Sequence, residues 1–385
     1  MVRHLDFSMS GRLLFGKGAL ARLPDVVTRL GAERPMIVTD QGLVKAGLPA
    51  RVDAVLADAG ISCDVYDGVE PDPRIEIVDL CATRAIEKES DLLIGLGGGS
   101  SLDIAKVSAS VRVHGGSVPD YLGIGNVPGR GLPTVLMPTT AGTGSEVTPI
   151  AVLSDEAAHL KKGVVSEHLY ADVALVDPTL TVGLPPHITA YTGIDALTHA
   201  IEAYTNKYAQ PFVDTLALEA IRLIGIHLRR AVACGEDEDA RYHMSLASTY
   251  GGMCLGSVNT AAVHALAYPL GGMFHVPHGV ANSLLLPYVM DFNLISDLGK
   301  FANIALALGE EVEGLSLRDA AARAVDAVRR LCDDVGIVSH IGDLGIPASA
   351  SDTMADAAME VTRLLGNNPR AITIDDVRRI YRAAH

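Results

Sequence analysis

The hydrophobic positions follow two patterns in the first half of the chain and a single pattern in the second. From residue 12 to about residue 177, short β-branched runs alternate with stretches of helical spacing, as in residues 35–39, then 42–59, then 63–66. Strand–helix–strand order of this kind predicts a largely parallel sheet. Two of the runs, DLLIGL at 91–96 and PTVLM at 133–137, are apolar almost throughout, as strands covered on both faces are. Each ends in a turn rich in glycine or threonine, and ligands of a doubly wound sheet sit beyond the carboxyl ends of its strands. After Asp177 and Pro178 the β-branched runs thin out, and Ala/Leu/His-rich segments with helical spacing continue to residue 385. The proline and glycine punctuation of DPTLTVGLPP, residues 177–186, marks the change. The prediction is an α/β, Rossmann-like parallel-sheet domain over residues 1–180 and an all-helical domain over residues 181–385.

Composition supports this division. A chain of 385 residues fits two domains of common size, and 49% hydrophobic with 20% charged residues supplies enough apolar surface for compact cores. A formal net charge of -15, with no Lys/Arg-rich cluster, argues against a nucleic-acid partner. Residues 1–18 carry Arg3, His4, Asp6 and Arg12 without the apolar core of an export signal. Elsewhere no apolar stretch reaches the ~18 residues of a membrane span, so no membrane partner and a cytoplasmic location are expected. Five scattered cysteines without a Cys-x-x-Cys pair predict buried thiols in a reducing compartment.

The first chemical motif is GLGGGSSLDIAK at 95–106, directly after the DLLIGL strand. Consecutive glycines let backbone N–H groups close around an anion, and the start of the following helix adds partial positive charge. A pyrophosphate suits such a turn. As a dinucleotide fingerprint the match is incomplete, since Ser100 stands at the third glycine position; the bland alternative is a tight turn with Ser100 or Ser101 as helix cap. A second small-residue turn, PTTAGTGSE at 138–146, follows the next apolar strand. Its Thr139, Thr140 and Ser145 offer hydroxyls to the inner end of a dinucleotide. Asp40 closes the first strand, where a carboxylate accepts hydrogen bonds from a ribose diol and repels a 2′-phosphate, favouring NAD over NADP; a helix cap is the other reading.

In the second half, GIDALTHAIEA at 193–203 places Asp195 and His199 four residues apart. Four residues advance a helix by about 400°, so the two side chains share a face. His264, His275 and His278 lie further on in an Ala/Leu/Val-rich stretch, where each needs a partner. A metal shared with Asp195 and His199 would satisfy several of them. Imidazoles with a carboxylate suit iron, zinc, nickel or cobalt rather than magnesium or calcium. Four protein ligands already fill the tetrahedron zinc prefers, so a further position for substrate favours Fe2+, with Zn2+ or Ni2+ as replacements.

Taken together, GGGSSLDIAK, TTAGTGSEVT, GIDALTHAIEA and HALAYPLGG with PHGVAN resemble the iron-containing (group III) alcohol dehydrogenase family over nearly the whole chain. The resemblance implies a dinucleotide-binding domain followed by an all-helical metal-binding domain, an architecture shared with dehydroquinate synthase. It implies metal ligands at Asp195, His199, His264 and His278, and pyrophosphate contacts at Gly97, Gly98, Gly99, Ser100 and Asp103. Thr139, Thr140 and Ser145 fall at the nicotinamide side, and Lys161 near the cofactor ribose. The implied chemistry is NAD-linked hydride transfer, NADP being the alternative, between a small alcohol or aldehyde and the nicotinamide. A homodimer or higher homo-oligomer is implied as well.

Two positions depart from many relatives. Tyr268 stands where a second histidine often follows the third ligand by four residues. A phenol is a poorer proton acceptor than imidazole near neutral pH, and His275 is the other candidate for proton relay. Ile150 and Ala151 replace polar groups of some relatives, implying a less polar substrate pocket. Other readings on the same fold are a hydroxyacid–oxoacid transhydrogenase, a maleylacetate-type reductase and a dehydroquinate synthase-like lyase. A non-enzymatic metal-binding role would leave the glycine turn without purpose.

Overall fold

Among the described residues of this computed structural model, 5–155 and 160–385, nine strands form two sheets; Arg3 and His4 lie outside the described residues. The strands are β1 Leu13–Phe15, β2 Pro35–Asp40, β3 Asp64–Val69, β4 Leu92–Gly97, β5 Gly123–Ile124, β6 Thr134–Pro138, β7 Ile150–Asp155, β8 Leu160–Val165 and β9 Val173–Val176. Six of them make one parallel sheet in the order β1-β9-β6-β4-β2-β3. The other three make a small sheet in the order β5-β8-β7. The predicted α/β half followed by an all-helical half is the architecture observed.

Two compact units are present. One comprises Met9–Thr140 with Gly144–Val182, the other Gly183–His385 with residues 5–8 and Ala141–Thr143. In the sheet unit, alternate residues of a strand enter opposite cores, because successive side chains point to opposite faces. Met36 and Val38 pack on one face with Leu102, Ile104 and Leu136. Ile37 packs on the other with Leu23, Leu56, Ile94 and Val135. Both faces are covered, which accounts for the continuous apolar runs. Beyond β9, the buried Asp177 carboxylate accepts the backbone N–H groups of Gly18, Leu20 and Thr179 at 3.0–3.1 Å and fixes the chain as it leaves the sheet.

The helical unit is built on the helices Pro186–Thr205, Pro211–Ala233, Glu238–Val258, Ala262–Phe274, His278–Asn293 and Leu317–Asp334 around one large core. Among the described residues no helix is long and apolar enough to cross a membrane.

Some local expectations need correction. The helical spacing of residues 42–59 covers two helices, Gln41–Lys45 and Leu48–Ala57, because Gly47 adopts a left-handed conformation (φ 78°) that interrupts the helix without disturbing the apolar periodicity. Neither Ser100 nor Ser101 caps the helix Gly99–His114: the cap is Gly98, and both serines lie in the first turn. The expectation of buried thiols holds for Cys81, Cys254 and Cys332, whose thiols burial pushes up to about 12. Cys63 is half-buried and Cys234 exposed, the latter because it follows the last turn of the helix Pro211–Ala233.

Candidate functional site

The glycine turn begins where β4 ends. β4 and β6 are in register from Leu93 opposite Thr134 to Gly97 opposite Pro138, so the two small-residue turns leave the sheet at one level. The Thr139 N–H donates to the Gly97 carbonyl at 2.9 Å and joins them. Gly97 is a steric necessity: at φ 156° a Cβ there would lie 2.5 Å from Ser101 Oγ. Gly98 is different, because a Cβ would meet nothing nearer than Thr140 at 3.6 Å. The space over Gly98, at the N-terminus of a 16-residue helix with no side-chain cap, suits an anionic group.

Below this turn lies a buried polar cluster. Ser145 Oγ donates to Asp103 Oδ1 at 2.5 Å, and the Val152 N–H donates to Asp103 Oδ2 at 2.8 Å. Lys106, fully buried, lies 3.2 Å from the Asp103 carboxylate and donates to the carbonyls of Ser145 (2.9 Å) and Ile150 (2.5 Å). Burial pulls its ammonium below the ordinary lysine range, against the opposing pull of Asp103 and Glu146. Asp103 and Ser145, predicted as cofactor contacts, thus hold each other, and Lys106, to which no role was assigned from sequence, ties both turns together. Thr139 is buried and Thr140 half-buried beside Gly98. Asp40 caps the helix Gln41–Lys45 by accepting the Leu43 N–H at 3.0 Å. Lys161, on β8, forms a 2.5 Å ion pair with Asp72, and neighbouring Lys162 pairs with Asp155. Ala151 is fully buried in the sheet core, so it does not line a pocket; only Ile150 of that pair is partly exposed.

In the helical unit, Asp195, His199 and His264 converge. Their ligand atoms lie within 4.8 Å of one another and all three residues are buried. Asp195 and His199 sit a turn apart on the helix Pro186–Thr205, and His264 sits in the first turn of Ala262–Phe274. His199 Nδ1 lies 3.4 Å from the Gly142 carbonyl, and His264 Nδ1 lies 2.6 Å from the Glu202 carboxylate. Each acceptor calls for the proton on Nδ1. The two Nε2 atoms, 3.0 Å apart, then turn lone pairs toward each other, with Asp195 Oδ1 3.9 Å from His264 Nε2. Lone pairs and a carboxylate facing one point form a donor group that could hold a cation. Two nitrogens each about 2.1 Å from one ion, at an angle near 90°, stand about 3.0 Å apart, so the spacing fits a divalent metal. Burial raises the Asp195 carboxyl, but His199, His278, His264 and the Asn282 amide together outweigh it and hold it below the usual carboxylate range. Burial also pulls the His199 imidazole below the ordinary histidine range, against the opposing pull of Asp195.

His278, the fourth predicted ligand, lies beside this group: its ring centroid is 5.3 Å from that of His264. Asn282, one turn along the same helix, donates to Asp195 Oδ1 at 2.7 Å and lies 3.0 Å from His278 Nε2. Among the described residues the buried Asn282 Oδ1 has no hydrogen-bond partner. Tyr268 is buried, one turn after His264. His275 is exposed, ending its helix in the left-handed region at φ 55°. Sequence reasoning missed Glu202 and Asn282 as well as Lys106; the signal for Glu202 was its place seven residues after Asp195, on the same helix face.

A second donor cluster, His227, Asp239 and His243, suits a cation less well. Its rings stack 4.1 Å apart at 5°, and the Arg230 guanidinium lies 3.4 Å from His227 Nδ1 and 3.0 Å from the Asp239 carboxylate. A fixed positive charge already occupies that cluster.

Comparison with known proteins assigns the chain to a family. Residues 10–178 match the family described as iron-containing alcohol dehydrogenase, and residues 189–385 match the C-terminal part of the Fe-containing alcohol dehydrogenase family. The chain is 47% identical over 372 residues to long-chain-alcohol dehydrogenase 1 of Geobacillus thermodenitrificans, covering 96% of this chain and 94% of that protein. Among solved structures it is similar to 1,3-propanediol oxidoreductase, with a TM-score of 0.97, 39% identity and 100% of both chains covered. It is also similar to sulfoacetaldehyde reductase from Bifidobacterium kashiwanohense in complex with NAD+, with a TM-score of 0.90, 32% identity, and 100% and 99% coverage. On these matches, over both halves and at nearly full length, the chain belongs to the iron-containing alcohol dehydrogenase family.

Proposed function

We propose that the protein is a metal-dependent, NAD-linked alcohol dehydrogenase or aldehyde reductase acting on small alcohols and aldehydes. The observation that carries this reading is the buried, facing pair of His199 and His264 Nε2 atoms with the Asp195 carboxylate beside them. Asp195, His199 and His264 are the core ligands, and His278 is the fourth. Imidazole and carboxylate donors suit Fe2+, Zn2+ and Ni2+ alike; the family resemblance favours Fe2+, with Zn2+ or Ni2+ as replacements. A bound divalent ion supplies Lewis acidity toward an alcohol or carbonyl oxygen, and a nicotinamide supplies the hydride acceptor or donor.

The remaining work falls to this chain's own side chains. Gly97, Gly98, Gly99 and the first turn of the helix they open, with Ser100, receive the pyrophosphate. Thr139 and Thr140 flank it, while Asp103 and Ser145 hold the two turns in register. Asp40 receives the ribose diol, which favours NAD over NADP, and Lys161 lies on the ribose side. Tyr268, buried one turn from His264, is the favoured proton-relay group over the exposed His275. The family resemblance supports a homodimer, and five free cysteines support a reducing, cytoplasmic setting.

The test is an anaerobic assay of the Fe2+-reconstituted protein against panels of alcohols with NAD or NADP and of aldehydes with the reduced cofactors. Turnover with free NAD(H), and its loss together with metal binding in His264→Ala, is the expected result. Full activity of metal-free His264→Ala protein would overturn the assignment.

A further inference from the structure

Glu202 is buried and, among the described residues, makes no charge pair with lysine or arginine, yet both of its oxygens are engaged. Oε2 accepts from His264 Nδ1 at 2.6 Å and from the Ala261 N–H at 3.0 Å; Oε1 accepts from the Val263 N–H at 2.6 Å. Two backbone N–H groups, one on each oxygen, orient the carboxylate so that Oε2 faces His264 Nδ1 as an acceptor for an Nδ1–H. The two backbone donors belong to the start of the helix Ala262–Phe274, whose cap residue Ala261 offers no side-chain cap of its own. A carboxylate supplied from another helix therefore caps the helix that carries His264, where negative charge is favourable. The entry to that helix is also constrained: Asn259 has φ 61°, and Asn206 Nδ2 holds the carbonyls of Val258 and Asn259 at 3.1 and 3.2 Å.

We propose that Glu202 is the positioning residue of the metal centre: it fixes the Nδ1–H tautomer of His264, aims Nε2 at the point shared with His199 and Asp195, and makes that nitrogen a stronger donor. This rests on the metal-centre reading above and adds a residue that does not itself touch the ion. A carboxylate behind a ligating histidine raises ligand basicity, and removing such a partner weakens metal binding about 10- to 100-fold. Glu202→Gln keeps the shape but replaces one acceptor oxygen by an NH2 group, which turns a donor toward Val263 N–H or His264 Nδ1–H.

The test uses the full chain and Zn2+ as the metal, titrated in competition with a chelator of known affinity. Histidine tautomers are read in the 15N-labelled, zinc-loaded protein. Wild type is expected to bind Zn2+ with His264 protonated on Nδ1 and metallated on Nε2. Glu202→Gln is expected to bind about 10- to 100-fold more weakly while its affinity for NADH stays unchanged. Glu202→Asp, which keeps the charge but shortens the side chain, is expected to fall between the two. Metal affinity within threefold of wild type in folded Glu202→Gln overturns the proposal and leaves the metal centre standing. So does a wild-type His264 metallated on Nδ1, a result that needs no variant to fold. Failure of wild type to bind Zn2+ overturns the metal centre, and this inference with it.

Discussion

Lys106 Nζ lies 2.9 Å from the carbonyl oxygen of Ser145, thirty-nine residues away, and so links the helix after one small-residue turn to the end of the other. The same ammonium is 3.2 Å from Asp103, which in turn accepts from the Ser145 hydroxyl. The two small-residue turns are thus cross-linked from beneath by a charged group wholly out of water.

Replacing that group is expected to be costly. Lys106→Met fills the volume but leaves the carbonyls of Ser145 and Ile150 without their donor and Asp103 without its cation. Removing one partner of a buried pair costs about 3–5 kcal/mol, and urea unfolding should show a loss of this order, with weaker NADH binding in a fluorescence titration. A loss below about 1 kcal/mol would mean that the ammonium is not holding the turns.

Gly97 and Gly98 should separate steric from binding effects. Gly97→Ala forces a methyl group against Ser101 at an unfavourable φ and is expected to cost about 1–3 kcal/mol as well as nucleotide affinity. Gly98→Ala has room for its methyl group and an ordinary backbone conformation. Its stability should stay within about 0.5 kcal/mol of wild type while nucleotide affinity falls, because the methyl group enters the space left for the pyrophosphate. Unchanged NADH affinity in Gly98→Ala would remove that turn from the cofactor site.

For proton relay, burial favours Tyr268 over His275. Tyr268→Phe, which preserves packing, is expected to lower kcat by roughly tenfold or more with little change in KM, whereas His275→Ala should retain most activity. The reverse ranking in steady-state kinetics would transfer the role to His275.

The stacked pair of His227 and His243 gives a pH signature unconnected with catalysis. Burial, with help from His243, holds the His227 imidazole below the ordinary histidine range despite the pull of Asp239. The unfolded chain therefore takes up the proton first on acidification, so stability is full above about pH 6.5 and falls as pH drops through that value. Thermal unfolding of wild type between pH 8 and pH 5 should show the decline, and His227→Gln should flatten it. An identical slope in the variant would assign the titration elsewhere.

Much of the site was legible because helices and strands repeat locally. Asp195 and His199 declare themselves by a four-residue interval, and the apolar strands before residues 97 and 138 point to the turns that follow. What was hidden depends on contacts between distant segments. Glu202 lies on the same face as Asp195 and His199, but nothing near it in sequence shows that the start of another helix will meet its carboxylate. Lys106 ends the GLGGGSSLDIAK motif, yet a charged residue in a helix reads as solvent-facing until both helix faces prove to be covered. The break at Gly47 was invisible for the opposite reason, since the apolar spacing runs through it unchanged.

The converging lone pairs of His199 and His264 have a consequence for the cell. A pocket of nitrogen and carboxylate donors with no sulfur ranks divalent ions weakly by chemistry and so follows the general affinity order, in which ferrous iron stands below nickel and zinc. If the pocket holds a metal as proposed, supply at the time of folding would decide which ion occupies it, and a shift in that balance would change the occupant without altering a single residue.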